Sequence, residues 1–340
     1  MMLFAARNIQ FVAFQQIIAL FLFANACSYA VYPMLNHAGI STSYTTVGKL
    51  LCRLTWSTQR EAHAITKTRA FLLIYDNINH MQRAWDPELG QKDTVLNGTT
   101  ATLVEIKDCD VEKALDPQAL KESIAKGGWA NLNIDVLRNR IDFHRLHSIF
   151  ALHCLKFLAD EVEGLAVHQH FINVHFQTTL QGHRMRPGRQ SNIVPLQTLD
   201  INKGTTGGQK DVIDDLNLQQ LKLSEEELTK LMLILGGDQS TVEKLRTLKR
   251  FLHDCTYGYS QYGWVLPLIQ LWHMGWADLE CVLSTHWGPD SGDANGNIST
   301  FRAVNILLGC KVKDIKCPNY YPAQHLIFDN LKLEILDCWK

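Results

Sequence analysis

No two of the nine cysteines stand at the CxxC spacing, so the usual signature of a tetrahedral zinc module is missing. Their odd number and even scatter suit reduced thiols inside a cell. The histidines of HQHFINVH, His168, His170 and His175, fit neither a helical i,i+4 pair nor a tight finger, and read as solvated or core residues. Long apolar runs are lacking too. No stretch approaches the roughly 20 residues that cross a bilayer, so no membrane span is expected. Net charge is only −1 over 340 residues, which excludes a global positive field; contact with DNA would have to come from local basic patches. No run of Lys and Arg marks a nuclear import signal. The glycine-rich INKGTTGGQKD, Ile201 to Asp211, departs from the phosphate-cradling GxxxxGK[ST] order and reads as a flexible loop.

What is there is a folded composition, 46% apolar and 20% charged, which argues against disorder over any long part. The length suits one large domain or two ordinary ones. Residues 8 to 66 read as helices. Arg7 and the following IIALFLFANACSYA have the outline of a signal peptide, while Phe11, Phe14, Ile18 and Phe21 fall at the spacing of a buried amphipathic helix. Gly39 ends one helix and Ser41 or Ser43 can cap the next, whose Val47, Leu50, Leu51 and Leu54 give a buried face. That outline is shared by all-helical packing and by a DNA-reading helix-turn-helix, which would turn Ser43, Tyr44, Thr46 and Lys49 outward. Residues 70 to 106 read as sheet, and 111 to about 182 as helical.

Two stretches carry the chemistry. LLIYDNINH, residues 72 to 80, runs from apolar residues into Asp76, and LMLILGGDQST, residues 231 to 241, runs through two glycines into Asp238. A carboxylate ending a buried strand keeps its charge only where water, a cation or a donor reaches it. Two such ends on one sheet edge would bind Mg2+ or Mn2+ through oxygen ligands. After Asp238 an amphipathic helix places Thr241, Leu245, Leu248 and Leu252 on one face and Arg246, Lys249, Arg250 and His253 on the other. A further strand, WVLPLIQLWH, ends on His273. The order suits an α/β fold with a ribonuclease-H-like mixed sheet core, in which two metal ions roughly 4 Å apart drive in-line phosphoryl transfer. The organisation expected is an N-terminal helical subdomain over 1–66 and a core over 67–340, interrupted by a helical insertion over 111–190. The last helix still runs at Lys340, so the chain is expected to be truncated at its C-terminus.

In this reading Asp76 and Asp238 bind the metal; the third acid is one of Glu280, Asp329, Glu334 and Asp337, with Glu334 preferred because it lies on a late helix. Asn77, Asn79 and Gln239 support them, and Arg246, Lys249 and Arg250 position DNA phosphates without reading sequence. The plainer readings are a solvated cationic face and an exposed helical glutamate.

The blocks LFLFANACSYAVYPMLNHAGISTSYTTV, YDNINHMQRAWDPELGQKDTVLNGTT, GGDQSTVEKLRTL, WVLPLIQLWHMGWADL and YYPAQHLIFDNLKLEILDCW resemble successive blocks of an uncharacterised family of mushroom-forming fungi, the domain of unknown function six-five-eight-nine. The likeness covers nearly the whole chain and implies no mechanism. The pattern GGDQSTV…VLP…WH is more loosely similar to that of Mutator-type transposases, in which an aspartate, a helix, a proline-marked strand and a histidine precede the last acid. That resemblance implies an ancestral metal-dependent DNA strand transferase in the nucleus, with Asp76 and Asp238 as its first two carboxylates and His273 as its histidine. Leu271 and Trp272 stand where a short-spaced cysteine would be expected. A different class keeps the fold without the chemistry: a catalytically inactive, domesticated nucleic-acid-binding or protein-interaction module. A doubly wound nucleotide-binding enzyme would also carry strand-end aspartates, but regular βαβ alternation is missing before residue 190.

Overall fold

The computed structural model describes residues 12–68, 70–82, 94–107, 109–179, 188–288 and 300–339. In chain order its elements are α1 (Ala13–Ala24), α2 (Val31–His37), α3 (Tyr44–Thr66), β1 (Phe71–Gln82), β2 (Thr94–Glu105), α4 (Val111–Ala114), α5 (Pro117–Ala125), α6 (Ile134–Asn139), α7 (Phe143–Glu161), α8 (Gln169–Thr179), β3 (Ile193–Pro195), α9 (Thr206–Asp214), α10 (Glu225–Lys230), β4 (Leu233–Gly237), α11 (Gln239–Phe251), β5 (Val265–Ile269), α12 (Leu271–His286), α13 (Phe301–Leu308) and α14 (Tyr320–Trp339). A π-helical turn, Asp215–Gln220, follows α9 directly. The chain forms two compact units, one from Met1–Pro117 and Ser191–Leu268, the other from Gln118–Gln190 and Ile269–Lys340. The helices read from sequence as an insertion are therefore grouped with the C-terminal helices.

In the first unit, α1, α2 and α3 meet at Ala19, Tyr32 and Val47. Ser43 caps α3 by accepting the Thr46 N–H, which satisfies one of the orphan donors of the first turn. Tyr44 lies edge-on to Tyr29 and Tyr32. The apolar face expected of the first helix is not the one buried. Gln15 and Ala19 point inward, while Phe14 and Phe21 are exposed; Phe11 lies outside the described residues. The far end of α3 enters the main core through Ala62 and Ile65, and His63 Nε2 hydrogen-bonds the Gln220 carbonyl at 2.8 Å.

The five-stranded sheet has the order β3-β2-β1-β4-β5. β1 and β2 form a long antiparallel ladder from Phe71↔Glu105 to Gln82↔Thr94. β2 pairs β3 antiparallel, and β1 pairs β4 in parallel at Leu72↔Ile234, Leu73↔Leu235 and Ile74↔Gly236. Alternation sends Phe71, Leu73 and Tyr75 to one face, where they join Leu103, Leu235, Leu245 and Leu216 in the core.

Two boundaries differ from the sequence reading. β1 does not end at Asp76 but continues to Gln82, because β2 supplies backbone partners the whole way; Asn77 and Asn79 can then face water without leaving main-chain groups unpaired. β5 stops at Ile269, so His273 sits in the first turn of α12, not at a strand end.

The second unit has its own core of Leu283, Phe301, Val304, Val312, Ala323 and Leu326. Lys332 on α14 forms an ion pair with Glu161 on α7. Asp160 has its carboxyl held below the usual range, first by a hydrogen bond from Gln169 and then by Lys156. Among the described residues no helix is long and apolar enough to cross a membrane.

Candidate functional site

The parallel register of β1 and β4 decides where the two aspartates go. Each stands two residues beyond the last paired position, Ile74↔Gly236, so adjacent strands bring Asp76 and Asp238 to equivalent places at one edge. Their local settings differ. Asp76 lies inside a continuing strand with its side chain 51% exposed. Asp238 ends β4 and caps α11, its Oδ1 accepting the Thr241 N–H at 2.6 Å. The turn between strand and helix is tight: a Cβ on Gly237 would lie 2.6 Å from Thr241 Cγ2, so only glycine lets the first turn of α11 close against the strand.

Lys203 fills the space beside these carboxylates. Its Nζ donates to Asp76 Oδ1 at 2.8 Å and to Thr241 Oγ1 at 2.8 Å, and lies 3.5 Å from the Tyr75 carbonyl. It also sits 5.4 Å from the centroid of the Tyr75 ring. The lysine is only 2% exposed. Its three donors thus meet a carboxylate, a hydroxyl and a carbonyl, the oxygen chemistry that also suits a hard cation.

The loop that delivers Lys203 is locked from both sides. Gln209, fully buried on α9, donates from Nε2 to the Lys203 carbonyl at 2.8 Å, and its Oε1 accepts the Tyr75 hydroxyl at 2.6 Å. Thr205 caps α9 by accepting the Gly208 N–H. A Cβ on Gly208 would stand 2.0 Å from the Asn202 carbonyl oxygen, which explains the glycine there. INKGTTGGQKD is therefore a rigid turn into a helix, not the flexible loop its glycines suggested. Burial and, secondly, the Asp238 charge push the Tyr75 hydroxyl far above the ordinary tyrosine value, so it stays a neutral donor.

The remaining candidates stand on several elements. Asn77 gives its backbone N–H to Asp76 Oδ1 at 2.7 Å; its side chain and that of Asn79 are exposed, on the strand face opposite Asp76. Gln239 is exposed at the start of α11. Arg246 and Arg250 are exposed on that helix, whereas Lys249 is partly buried and donates to the Val265 carbonyl. Burial lowers the Lys249 pKa, so it is not presented to solvent with the two arginines. Glu334 and His273 belong to the second unit. Glu334 is exposed on α14 and accepts from Asn330 Nδ2 at 2.8 Å, and His273 lies edge-on to Trp272.

Two carboxylates on one edge offer hard oxygen donors, but the inner oxygen of Asp76 and the Thr241 hydroxyl already hold an ammonium. A divalent ion against the same carboxylate would stand beside a fixed, desolvated positive charge, and the Coulomb repulsion at such range is large at low effective dielectric. In this arrangement the residues fit the lysine better than Mg2+ or Mn2+. Lys203 and Gln209 were not found from sequence; a lysine inside a glycine-rich turn gives no sign of its burial.

Residues 128–340 match the model of a family of unknown function (DUF6589). No curated protein and no solved structure matches the chain.

Proposed function

We propose that this chain, which belongs to that family, is a nucleic-acid-binding module on a ribonuclease-H-like core, descended from a transposon-encoded, metal-dependent strand transferase whose carboxylate site Lys203 has closed. The strand order and the parallel register that aligns Asp76 with Asp238 support the ancestry. One observation carries the loss of cleavage: the Lys203 ammonium, 2.8 Å from both Asp76 and Thr241, already supplies the positive charge that a metal would bring. The test is nicking of supercoiled plasmid in Mg2+ and then Mn2+, comparing the parent chain with Asp76→Asn and Asp238→Asn. The expected result is no metal-dependent nicking by the parent above the level of the two variants.

The register itself favours a second reading, an active enzyme in which Lys203 withdraws and Asp76 and Asp238 take up the metal. Nicking by the parent that disappears in both variants would establish it and overturn the first.

A further inference from the structure

We propose that the outward stripe of α3 is a docking surface for single-stranded nucleic acid, with Trp56 stacking on a base and Lys49, Arg53, Arg60 and Lys67 holding the flanking phosphates. This deepens the binding reading above by naming its surface. At about 100° per residue, these five positions fall in one narrow sector, opposite the buried Val47, Ala62 and Ile65. At about 1.5 Å per residue, the stripe runs roughly 27 Å along the helix. All four cations are exposed. The nearest acid on the helix, Glu61, lies outside the sector. Among the described residues none of the five makes an ion pair, and none has a hydrogen bond through its side chain.

Trp56 is 72% exposed. It stands between Arg53 and Arg60 in an open concavity of about 430 Å³, whose described lining also includes Cys52 and Ser57. A single exposed apolar residue needs no explanation, but an indole flanked by guanidiniums that are unpaired among the described residues has both parts of a single-strand platform: a π-face for any base and charges for the backbone on either side. An anionic membrane would call for a broader apolar face, and Trp56 is the only large apolar group in the sector. The helix is fixed at one end by Val47 among α1 and α2, and at the other by Ala62, Ile65 and the His63–Gln220 hydrogen bond. Little ordering of the surface is therefore needed on binding.

Fluorescence anisotropy of a labelled oligo(dT) of about 20 nucleotides, with the full chain in EDTA so that metal chemistry at Asp76 plays no part, tests this directly. From about 50 to 200 mM salt, the double variant Arg53→Ala/Arg60→Ala should bind at least tenfold more weakly, with its log–log salt slope flattened by about 1.4. Trp56→Ala should weaken binding by about tenfold with the slope unchanged. The positions are exposed, so both variants should keep the parent melting temperature. The proposal is overturned if neither variant changes affinity or slope, if a duplex of equal length binds more tightly than the single strand, or if the parent binds phosphatidylserine vesicles but not the oligonucleotide. A nicking parent would refute the closed site and leave this result untouched.

Discussion

Helix α9 is anchored near its two ends by polar clusters of opposite design. Toward the first end the interior charge is a cation: Lys203 is buried against a carboxylate that is half in water. At the second end the more sheltered charge is an anion. Asp214 Oδ1 accepts the hydroxyls of Tyr259 and Tyr262, and its Oδ2 takes Lys210, which is 46% exposed. Tyr259 and Tyr262 stack with Trp264 beneath them. The difference lies in what is left when a partner is removed. An interior lysine deprived of Asp76 loses the carboxylate it donates to and keeps hydrogen bonds to the Thr241 hydroxyl and the Tyr75 carbonyl, whereas Asp214 deprived of its lysine still has two hydroxyl donors. The partner that faces solvent is thus the main anchor of one cluster and one of three in the other.

Urea unfolding can break or sharpen this contrast. Asp76→Ala should give the largest loss, about 3 kcal/mol, because a desolvated ammonium loses the carboxylate it donates to; the figure is at the low end of what breaking a buried pair costs, since the carboxylate is partly screened by water. Tyr262→Phe should cost about 2 kcal/mol, as for a hydrogen bond to a charged group. The same variant bears on pH. Burial first, and then the Asp214 hydrogen bond, raise the Tyr262 pKa well above its ordinary value, so the stability tied to the neutral phenol is full below about pH 10 and is lost as pH rises beyond it. Tyr262→Phe should flatten that alkaline fall. Lys203→Met, which removes the buried charge and keeps most of its bulk, should cost only about 1 kcal/mol. Lys210→Ala should change stability by less than about 0.5 kcal/mol. Equal losses for Asp76→Ala and Lys210→Ala would mean that the two clusters do not differ in the way described.

Much of this architecture was legible in the residues. LILGGDQST declared a strand running through two glycines into Asp238 and an amphipathic helix after it, and both elements are present. Asp238 was placed correctly at a strand end because an apolar run and the periodicity that follows it are local signals. Asp76 was not: the polar residues after it looked like a loop, and only pairing with β2 shows that the strand goes on. Lys203 failed for a similar reason. Its burial is set by Tyr75, Thr241 and Gln209, which are distant in sequence, and nothing within its own turn distinguishes it from a solvated lysine. Lys249 shows the same limit on a helix, where correct periodicity put it with Arg246 and Arg250 but the Val265 carbonyl drew it inward.

The length of the β1–β2 ladder has a dynamic consequence. Between Leu72 and Ile74, β1 is bonded on both sides, to β2 and to β4. Among the described residues its pairing from Asn77 to Gln82 is with β2 alone, and Ile78 and Val95 lie open to solvent. A two-stranded ribbon is marginal in water by itself, so one continuous strand contains two grades of local stability. Amide hydrogens in its outer half should exchange with solvent through local opening, while those of the inner half should wait for the whole sheet to come apart.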